Sequence, residues 1–112
     1  MIQLYNVLIS ETAKRDIIEK KKYINETFKY TEFGERFIDR IKKAFRELRS
    51  FPLSCVSTEI KYHGTSIYMK ISGQYLIFFV VNSSVAEIII LRVLQDKENW
   101  KYIIKEWTKK QE

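Results

Sequence analysis

Arg92 is the residue whose chemistry most needs an explanation, because it stands near the end of a largely apolar run from Val85 to Leu94. A guanidinium stays charged and carries five N–H donors, so a strand buried on both faces cannot hold it without a partner. It is in phase with the apolar residues Ile88, Ile90 and Leu94. Two interpretations are open: Arg92 supplies the cation of a functional face, or its stem packs on the strand while its head reaches water.

Other groups that could contact a phosphate or a base lie in the same half of the chain. Lys61 and Lys70 could line a phosphate-binding face together with Arg92. Tyr68 could stack on a base, and Tyr75 is a further phenol in this region. For Lys61, Lys70 and Tyr68 we favour the simpler interpretation, in which they are solvent-facing residues of ordinary strands.

The chain has one histidine and one cysteine, His63 and Cys55. This pair alone argues against a zinc site of the usual kind. His63 precedes Gly64 in a predicted turn, whereas a nucleophile–histidine mechanism needs an imidazole that is held in place. A lone cysteine forms no internal disulfide, which is typical of a reducing compartment.

Length and composition predict one globular domain over residues 1–112, since 46% of the residues are apolar and 30% are charged. The net charge of +6 favours anionic partners such as nucleic acid or an acidic protein segment. The opposite charges also recur at i,i+4, as on a solvated helix face. These pairs are Glu11–Arg15, Asp16–Lys20, Glu32–Arg36 and Asp39–Lys43. Without an apolar run of membrane length or a signal peptide, we expect a soluble, cytoplasmic protein.

The first half of the chain predicts a strand followed by two helices. Residues 2–9 are strand-like, and Ser10 can cap a helix over residues 11–28. The apolar stripe of that helix is Ala13, Ile17, Ile24 and Phe28, widened by Ile18. A second helix, capped by Thr31, should end near Ser50 because Pro52 cannot continue it.

The second half predicts strands over residues 58–62, 66–71, 75–81 and 85–94. Ile67, Met69 and Ile71 alternate with Tyr68 and Lys70, the pattern of a half-buried strand. The run from Tyr75 to Val81 is apolar on both faces and should be central in the sheet. The fold class is therefore α+β, with an N-terminal strand, a helical hairpin, a four-stranded antiparallel sheet region and a short C-terminal helix.

The C-terminal helix, over about residues 97–109, carries Trp100, Ile103, Ile104 and Trp107 on one face. We favour the interpretation that its tryptophans hold the helix on the domain. Alternatively the helix docks loosely and its apolar stripe belongs to a partner surface. Gln95 and Lys97 fall in the turn before it, where a structural or solvated role is the simpler interpretation.

The order of several short motifs resembles the RelE/ParE family of toxins from type II toxin–antitoxin systems. Tyr75–Phe79 stands where the family has a Y-x-I-F-Y run, and Arg92-Val93-Leu94 with Trp100 is similar to its R-V-L-x-x-x-R-[DN]-[WY] ending. The remaining motifs follow in family order: Ile9-Ser10, Ala13, Asp16-Ile17, Tyr23-Ile24, Phe37, Ile41, Leu48 and Phe51-Pro52.

The resemblance implies a toxin that needs no cofactor, inhibits growth, stabilises plasmids and is neutralised by a cognate antitoxin. RelE-like members cut mRNA on the ribosome, whereas ParE-like members inhibit DNA gyrase. The long helical hairpin and the junction at Leu48 and Phe51-Pro52 look more ParE-like.

This chain departs from the RelE-like pattern at the positions that support cleavage. Tyr68 and Leu76 stand where arginines are common in the family. Phe79 lacks a tyrosine hydroxyl, Gln95 replaces a histidine or tyrosine, and Glu98 replaces an arginine. Cleavage by a 2′-hydroxyl needs a base, an acid and cations, and these departures remove the obvious proton shuttles.

We therefore expect a gyrase inhibitor, with a ribosome-dependent endoribonuclease or a non-toxic binding module as alternatives, so whether the protein is an enzyme stays open. The predicted contacts with a partner or target are Arg92, Lys70, Gln95, Lys97 and Trp100. If the protein is a ribonuclease, the candidate catalytic residues are Arg92, Lys70, Lys61, Tyr68 and Tyr75.

Overall fold

One mixed β-sheet with helices on both faces forms the body of the protein. The computed structural model describes residues 4–111. The first half contains β1 (Asn6–Ile9), α1 (Glu11–Phe28) and α2 (Thr31–Leu48). After a short 3-10 helix (Pro52–Ser54), the second half contains β2 (Val56–Tyr62), β3 (Thr65–Ser72), β4 (Tyr75–Asn82), β5 (Glu87–Gln95) and α3 (Trp100–Gln111).

The five strands of the sheet lie in the order β1-β5-β4-β3-β2. β2 to β5 pair antiparallel, as predicted, whereas β1 runs parallel to β5 with Asn6 opposite Glu87. The sheet is therefore mixed, because the two helices of the hairpin carry the chain from β1 to the opposite side of the sheet. The predicted first strand over residues 2–9 begins only at Asn6, and its residues 2 and 3 lie outside the described residues.

The two faces of the sheet carry separate apolar cores. On one face, the α1–α2 hairpin buries Phe37, Ile41 and Leu48 against Ile77 and Phe79 of β4, and we call this cluster the hairpin core. On the other face, α3 buries Ile104 in a cluster that we call the α3 core, with Ile67, Leu76, Phe78, Leu91 and Leu94. The prediction for β4 is confirmed, because Tyr75 to Val80 are all buried.

Two of the predicted apolar patterns are wrong in detail. Ile18 does not widen the buried stripe of α1, since its side chain is 65% exposed. β3 is not a half-buried strand either: Ile67 and Met69 pack in the α3 core, while Tyr68 packs in the hairpin core. The helices cover both faces of β3. The alternation of Ile67 and Met69 with Tyr68 and Lys70 in the sequence does not distinguish burial on both faces from burial on one face.

A β-bulge in β5 changes the face on which Arg92 lies. Ile90 pairs with Phe79 and Arg92 pairs with Phe78, so Leu91 is the extra residue. The predicted phase of Arg92 with Ile88 and Ile90 is therefore wrong, although Arg92 and Leu94 do lie on the same face. Beyond the bulge, the side chain of Val93 lies on the face of the sheet that the hairpin covers, and Arg92 lies on the face that α3 covers.

α3 begins at Trp100, three residues later than predicted, and ends at Gln111. Ile104 is fully buried, and the ring of Trp107 stacks on Tyr62 with 5.4 Å between the centroids. These contacts agree with the interpretation in which the helix is held on the domain. Of the helices in the described part of the chain, none has the length and apolar character to cross a membrane.

We expect Ile104→Ala to lower the free energy of unfolding by about 2–5 kcal/mol, because it leaves a cavity in the α3 core. Urea unfolding would measure the loss. Tyr102→Ala on the same helix is the matched control, since Tyr102 is 62% exposed, and it should change the stability little. Equal effects of the two substitutions would mean that α3 docks loosely.

Candidate functional site

Asp16 and Arg92 form an ion pair at the edge of the sheet. Arg92 Nε donates to Asp16 Oδ2 at 2.7 Å, and Nη2 donates to Oδ1 at 3.0 Å. The backbone N–H of Val93 also donates to Oδ2, at 3.0 Å. This bidentate, charge-assisted geometry is among the strongest hydrogen-bonding arrangements that side chains make. Asp16 is only 6% exposed, so the pair is largely removed from water.

The pair forms because β1 is shorter than its neighbour. β1 ends at Ile9, whereas β5 runs on to Gln95. Ser10 continues the pairing: its N–H donates to Ile90 O at 3.0 Å, and its hydroxyl donates to Leu91 O at 3.2 Å. The carboxylate of Asp16 then receives the N–H of Val93. Side chains at the start of α1 thus satisfy the edge of β5 that β1 leaves open.

Ser10 has a second role as the N-cap of α1. Its side-chain oxygen accepts a hydrogen bond from Ala13 N at 3.1 Å, as predicted for a capping residue. Because one residue both caps the helix and binds β5, the position at which α1 begins is fixed relative to the sheet. Asp16 lies in the second turn of that helix, so its carboxylate is aimed at the same strand edge.

The guanidinium of Arg92 lies between Asp16 and the ring of Trp107 in α3. Its Cζ is 5.9 Å from the centroid of Trp107, within reach of a cation–π interaction. The Arg92 side chain is 16% exposed. The partner that the sequence required is therefore Asp16. The expected pair Asp16–Lys20 is wrong, because Asp16 is buried and Lys20 instead lies 3.8 Å from Glu98.

The five residues proposed for RNA cleavage do not converge on one point. Tyr75 is 3% exposed and lies under Phe37, with 4.7 Å between the ring centroids. Tyr68 packs in the hairpin core, and Lys70 lies 3.9 Å from Glu47 of α2. Arg92 belongs to the other face, next to α3. For Lys70 and Tyr68 the predicted solvent-facing position is wrong, because both are partly buried beneath the hairpin. Lys61 is exposed on β2, as predicted.

Three of the five predicted partner-binding residues lie together where β5 leads into α3. Gln95 donates its N–H to Glu98 Oε2 at 2.6 Å, and Lys97 is exposed in the same loop. Trp100 packs on Phe78 with 5.5 Å between the centroids. Gln95 and Lys97 line a shallow cleft of about 260 Å³ with residues of α1. Arg92 lies near this end of the sheet, whereas Lys70 lies under the hairpin.

The sequence offered a weak signal for Asp16, the acidic partner that was missed. Asp16 follows Ala13 by three residues and therefore shares its buried face, while the neighbouring acidic residues do not. A carboxylate on an apolar stripe implies a buried cation as its partner, and Arg92 was the cation that lacked a partner in the sequence analysis. Glu98, which fixes the loop before α3, gave no such signal.

The described residues contain no group of three or more His, Cys, Asp or Glu side chains that could hold a metal ion. His63 is exposed in the turn between β2 and β3, with its ring 4.3 Å from that of Tyr62. Burial raises the pKa of the Cys55 thiol, and Lys70 nearby acts in the opposite direction. A raised pKa lowers the thiolate fraction, so Cys55 is a poor nucleophile.

We expect Asp16→Ala to lower the free energy of unfolding by about 3 kcal/mol, because it leaves a largely buried guanidinium unpaired and Val93 N–H without an acceptor. The removal of Arg92 should then cost less in the Asp16→Ala background than in the unmodified protein. A double-mutant cycle followed by urea unfolding measures this coupling. Asp39→Ala, at an exposed position of α2, is the control. Additive losses would contradict the assigned ion pair.

The solved structures that resemble this chain include a chain of a toxin–antitoxin complex. The RelBE2 complex from Mycobacterium tuberculosis has a chain that superposes with a TM-score of 0.59 at 19% identity, covering 88% of this chain and 98% of that one. A chain of the archaeal RelE–RelB complex from Pyrococcus horikoshii OT3 gives a TM-score of 0.49 at 15% identity, covering 86% and 99%. At such identities the first likeness establishes the fold.

The sequence comparison establishes the family. No curated protein matches the chain significantly over its sequence. Residues 7–100, however, match the family described as the ParE toxin of the type II toxin–antitoxin system, parDE. This match extends from within β1 to the first residue of α3, so it includes the ion pair and the whole of strands β2 to β5. The chain therefore belongs to the RelE/ParE family of toxins from type II toxin–antitoxin systems.

Proposed function

We propose that this toxin arrests growth by binding and inhibiting DNA gyrase, and that a cognate antitoxin neutralises it. The observation that carries this proposal is the separation of the residues suited to RNA cleavage. Attack by a 2′-hydroxyl needs a base, an acid and cations around a single phosphate. The candidate residues of this chain are instead distributed between two faces of the sheet.

Each of the candidate ribonuclease groups except Lys61 lies near an opposite charge or is covered. Tyr75 lies under Phe37, and Lys70 lies close to Glu47. The charge of Arg92 is already balanced by Asp16. A single exposed lysine supplies a cation without a proton shuttle, so this arrangement fits binding better than catalysis.

The surface that we assign to the target is the β5–α3 connection. Lys97 is exposed there, and the partly buried rings of Trp100 and Trp107 lie on the adjoining helix. Tryptophans are enriched among the central residues of protein interfaces, and an exposed lysine at the rim favours an acidic partner. Arg92 supports this surface from within the domain. Lys70 lies on the other side of the sheet and would belong to a separate contact.

The proposal of an antitoxin partner rests on the family and on the Mycobacterium tuberculosis structure, which is a toxin–antitoxin complex. Coexpression with the protein encoded in the neighbouring reading frame would test it. Stable co-purification and rescued growth are expected. Unrelieved toxicity in the presence of that protein would argue against it as the antitoxin.

We expect the purified protein to inhibit supercoiling by gyrase and to leave mRNA intact in a translation mixture. Lys97→Glu should weaken the inhibition by about tenfold or more, because it reverses a charge on the assigned surface. Lys110→Glu, at an exposed position near the end of α3, is the matched control and should act like the unmodified protein. Cleaved mRNA with unaffected gyrase would reverse the choice of target. Harmless growth at high expression would favour a non-toxic binding module.

A second prediction separates two roles of Arg92. If Arg92 only holds α1 on the sheet, Arg92→Ala and Asp16→Ala should reduce gyrase inhibition equally. If Arg92 also contacts the target, Arg92→Ala should lose more inhibition than Asp16→Ala at equal fractions of folded protein. We expect equal losses, because the Arg92 side chain is mostly buried. Parallel supercoiling and unfolding measurements on the two variants decide between the roles.

A further inference from the structure

Two cavities meet beside the helical hairpin, where α2 faces the β3–β4 turn. The aromatic cavity, of about 290 Å³, is lined by Phe28, Phe33, Phe37 and Tyr75, with Arg36 and Arg40 at its rim. The basic cleft, of about 360 Å³, lies between α2 and the β3–β4 turn. It is lined by Arg40, Lys43, Glu47, Lys70, Ser72 and Gly73. Arg40 lines both cavities and so joins them.

The basic cleft has an excess of positive charge. Arg40, Lys43 and Lys70 face the single carboxylate of Glu47, and Glu47 is only loosely engaged, with its oxygen 3.9 Å from Lys70 Nζ. In the part of the chain that the structure describes, neither Arg40 nor Lys43 forms an ion pair. Three cations around one carboxylate leave two positive charges, which a phosphate dianion would balance.

The absence of a side chain at Gly73 leaves room for Arg40 beside the β3–β4 turn. Gly73 has a φ of 60°, and a Cβ at this residue would overlap Nη1 of Arg40. The guanidinium therefore lies directly on the backbone of the turn. Because the planar fork of arginine is preorganised for two hydrogen bonds to an oxyanion, this placement favours phosphate binding at the junction of the two cavities.

The aromatic cavity has the composition of a stacking site. Phe28 is 53% exposed although it is large and apolar, and its ring lies 5.2 Å from that of Phe33. Gln74 at the edge of the cavity donates its side-chain N–H to the hydroxyl of Tyr75 at 3.4 Å. Exposed aromatic rings beside an amide are suited to a nucleobase, which has a π face and polar edges.

We propose that the two cavities form one site for a phosphorylated nucleoside, with the base against Phe28 and Phe33 and the phosphates between Arg40, Lys43 and Lys70. An acidic peptide could use the basic cleft, but it would leave the aromatic cavity unexplained. The same chemical unit occurs in free nucleotides and in a nucleic-acid strand. The site adjoins the target-binding surface proposed above, because Asp96 N–H donates to Gln74 O at 2.8 Å, but the two share no residue apart from Lys70, which was set aside there.

Isothermal titration of the full chain with ADP, pyrophosphate and adenosine tests the site. ADP should bind more tightly than either part alone. Arg40→Ala should weaken ADP binding by about tenfold, the effect of losing a charged hydrogen bond. Lys42→Ala is the matched control, because Lys42 is exposed on the same helix and lines neither cavity. It should change the affinity by less than about twofold.

Phe28→Ala tests the position of the base separately from that of the phosphates. It should weaken ADP binding by about fivefold, as expected for the loss of one stacking surface, and leave pyrophosphate binding unchanged. Equal effects on both ligands would overturn the assignment of the aromatic cavity.

A single-stranded oligonucleotide identifies the source of the nucleoside. If a strand is the ligand, the oligonucleotide should bind more tightly than ADP and depend on Arg40 but not on Lys42. If a free nucleotide is the ligand, ADP should bind more tightly than the oligonucleotide. The proposal is overturned if neither binds at about 1 mM, or if Arg40→Ala and Lys42→Ala weaken binding equally. It is also overturned if only a poly-glutamate peptide binds in an Arg40-dependent manner.

Discussion

The carboxylate of Asp16 is the point at which helix, strand and sheet edge are joined. It accepts two hydrogen bonds from Arg92 and one from the backbone of Val93, and it is nearly excluded from water. Separating the pair would leave a charged group without a partner in a site of low dielectric, which makes the local arrangement hard to deform. The position of α1 and the packing of Trp107 of α3 near the guanidinium both depend on this contact.

The division of the sheet into two buried faces also divides the functional possibilities. Tyr68 and Tyr75 are covered by the hairpin and Lys70 borders the cleft beside α2, whereas Arg92 lies next to α3. A catalytic centre for RNA needs such groups on one open face, so their separation favours a toxin that works through binding surfaces. The two surfaces that we propose, the β5–α3 connection and the cavities beside α2, are neighbours, because Asp96 of the first donates its N–H to Gln74 of the second.

Much of the fold followed from local patterns. The bounds of α1 were predicted to the residue, because Ser10 is a strong cap and the apolar stripe of the helix is regular. The buried character of β4 also followed from its composition. The face of Arg92 was predicted wrongly, since a bulge shifts the alternation and is fixed by pairing with β4. The burial of Lys70 depends on α2, which is distant in sequence.

The sequence alone determined the helical hairpin, the antiparallel strands, the family resemblance and the fact that Arg92 needed a partner. These follow from periodicity, capping and the cost of burying a charge, all of which are properties of neighbouring residues. Only the tertiary structure decided which residue pairs with Arg92 and which face of the sheet each candidate side chain occupies. Asp16 and Arg92 are separated by 76 positions in the chain, and nothing in local sequence specifies which elements will meet.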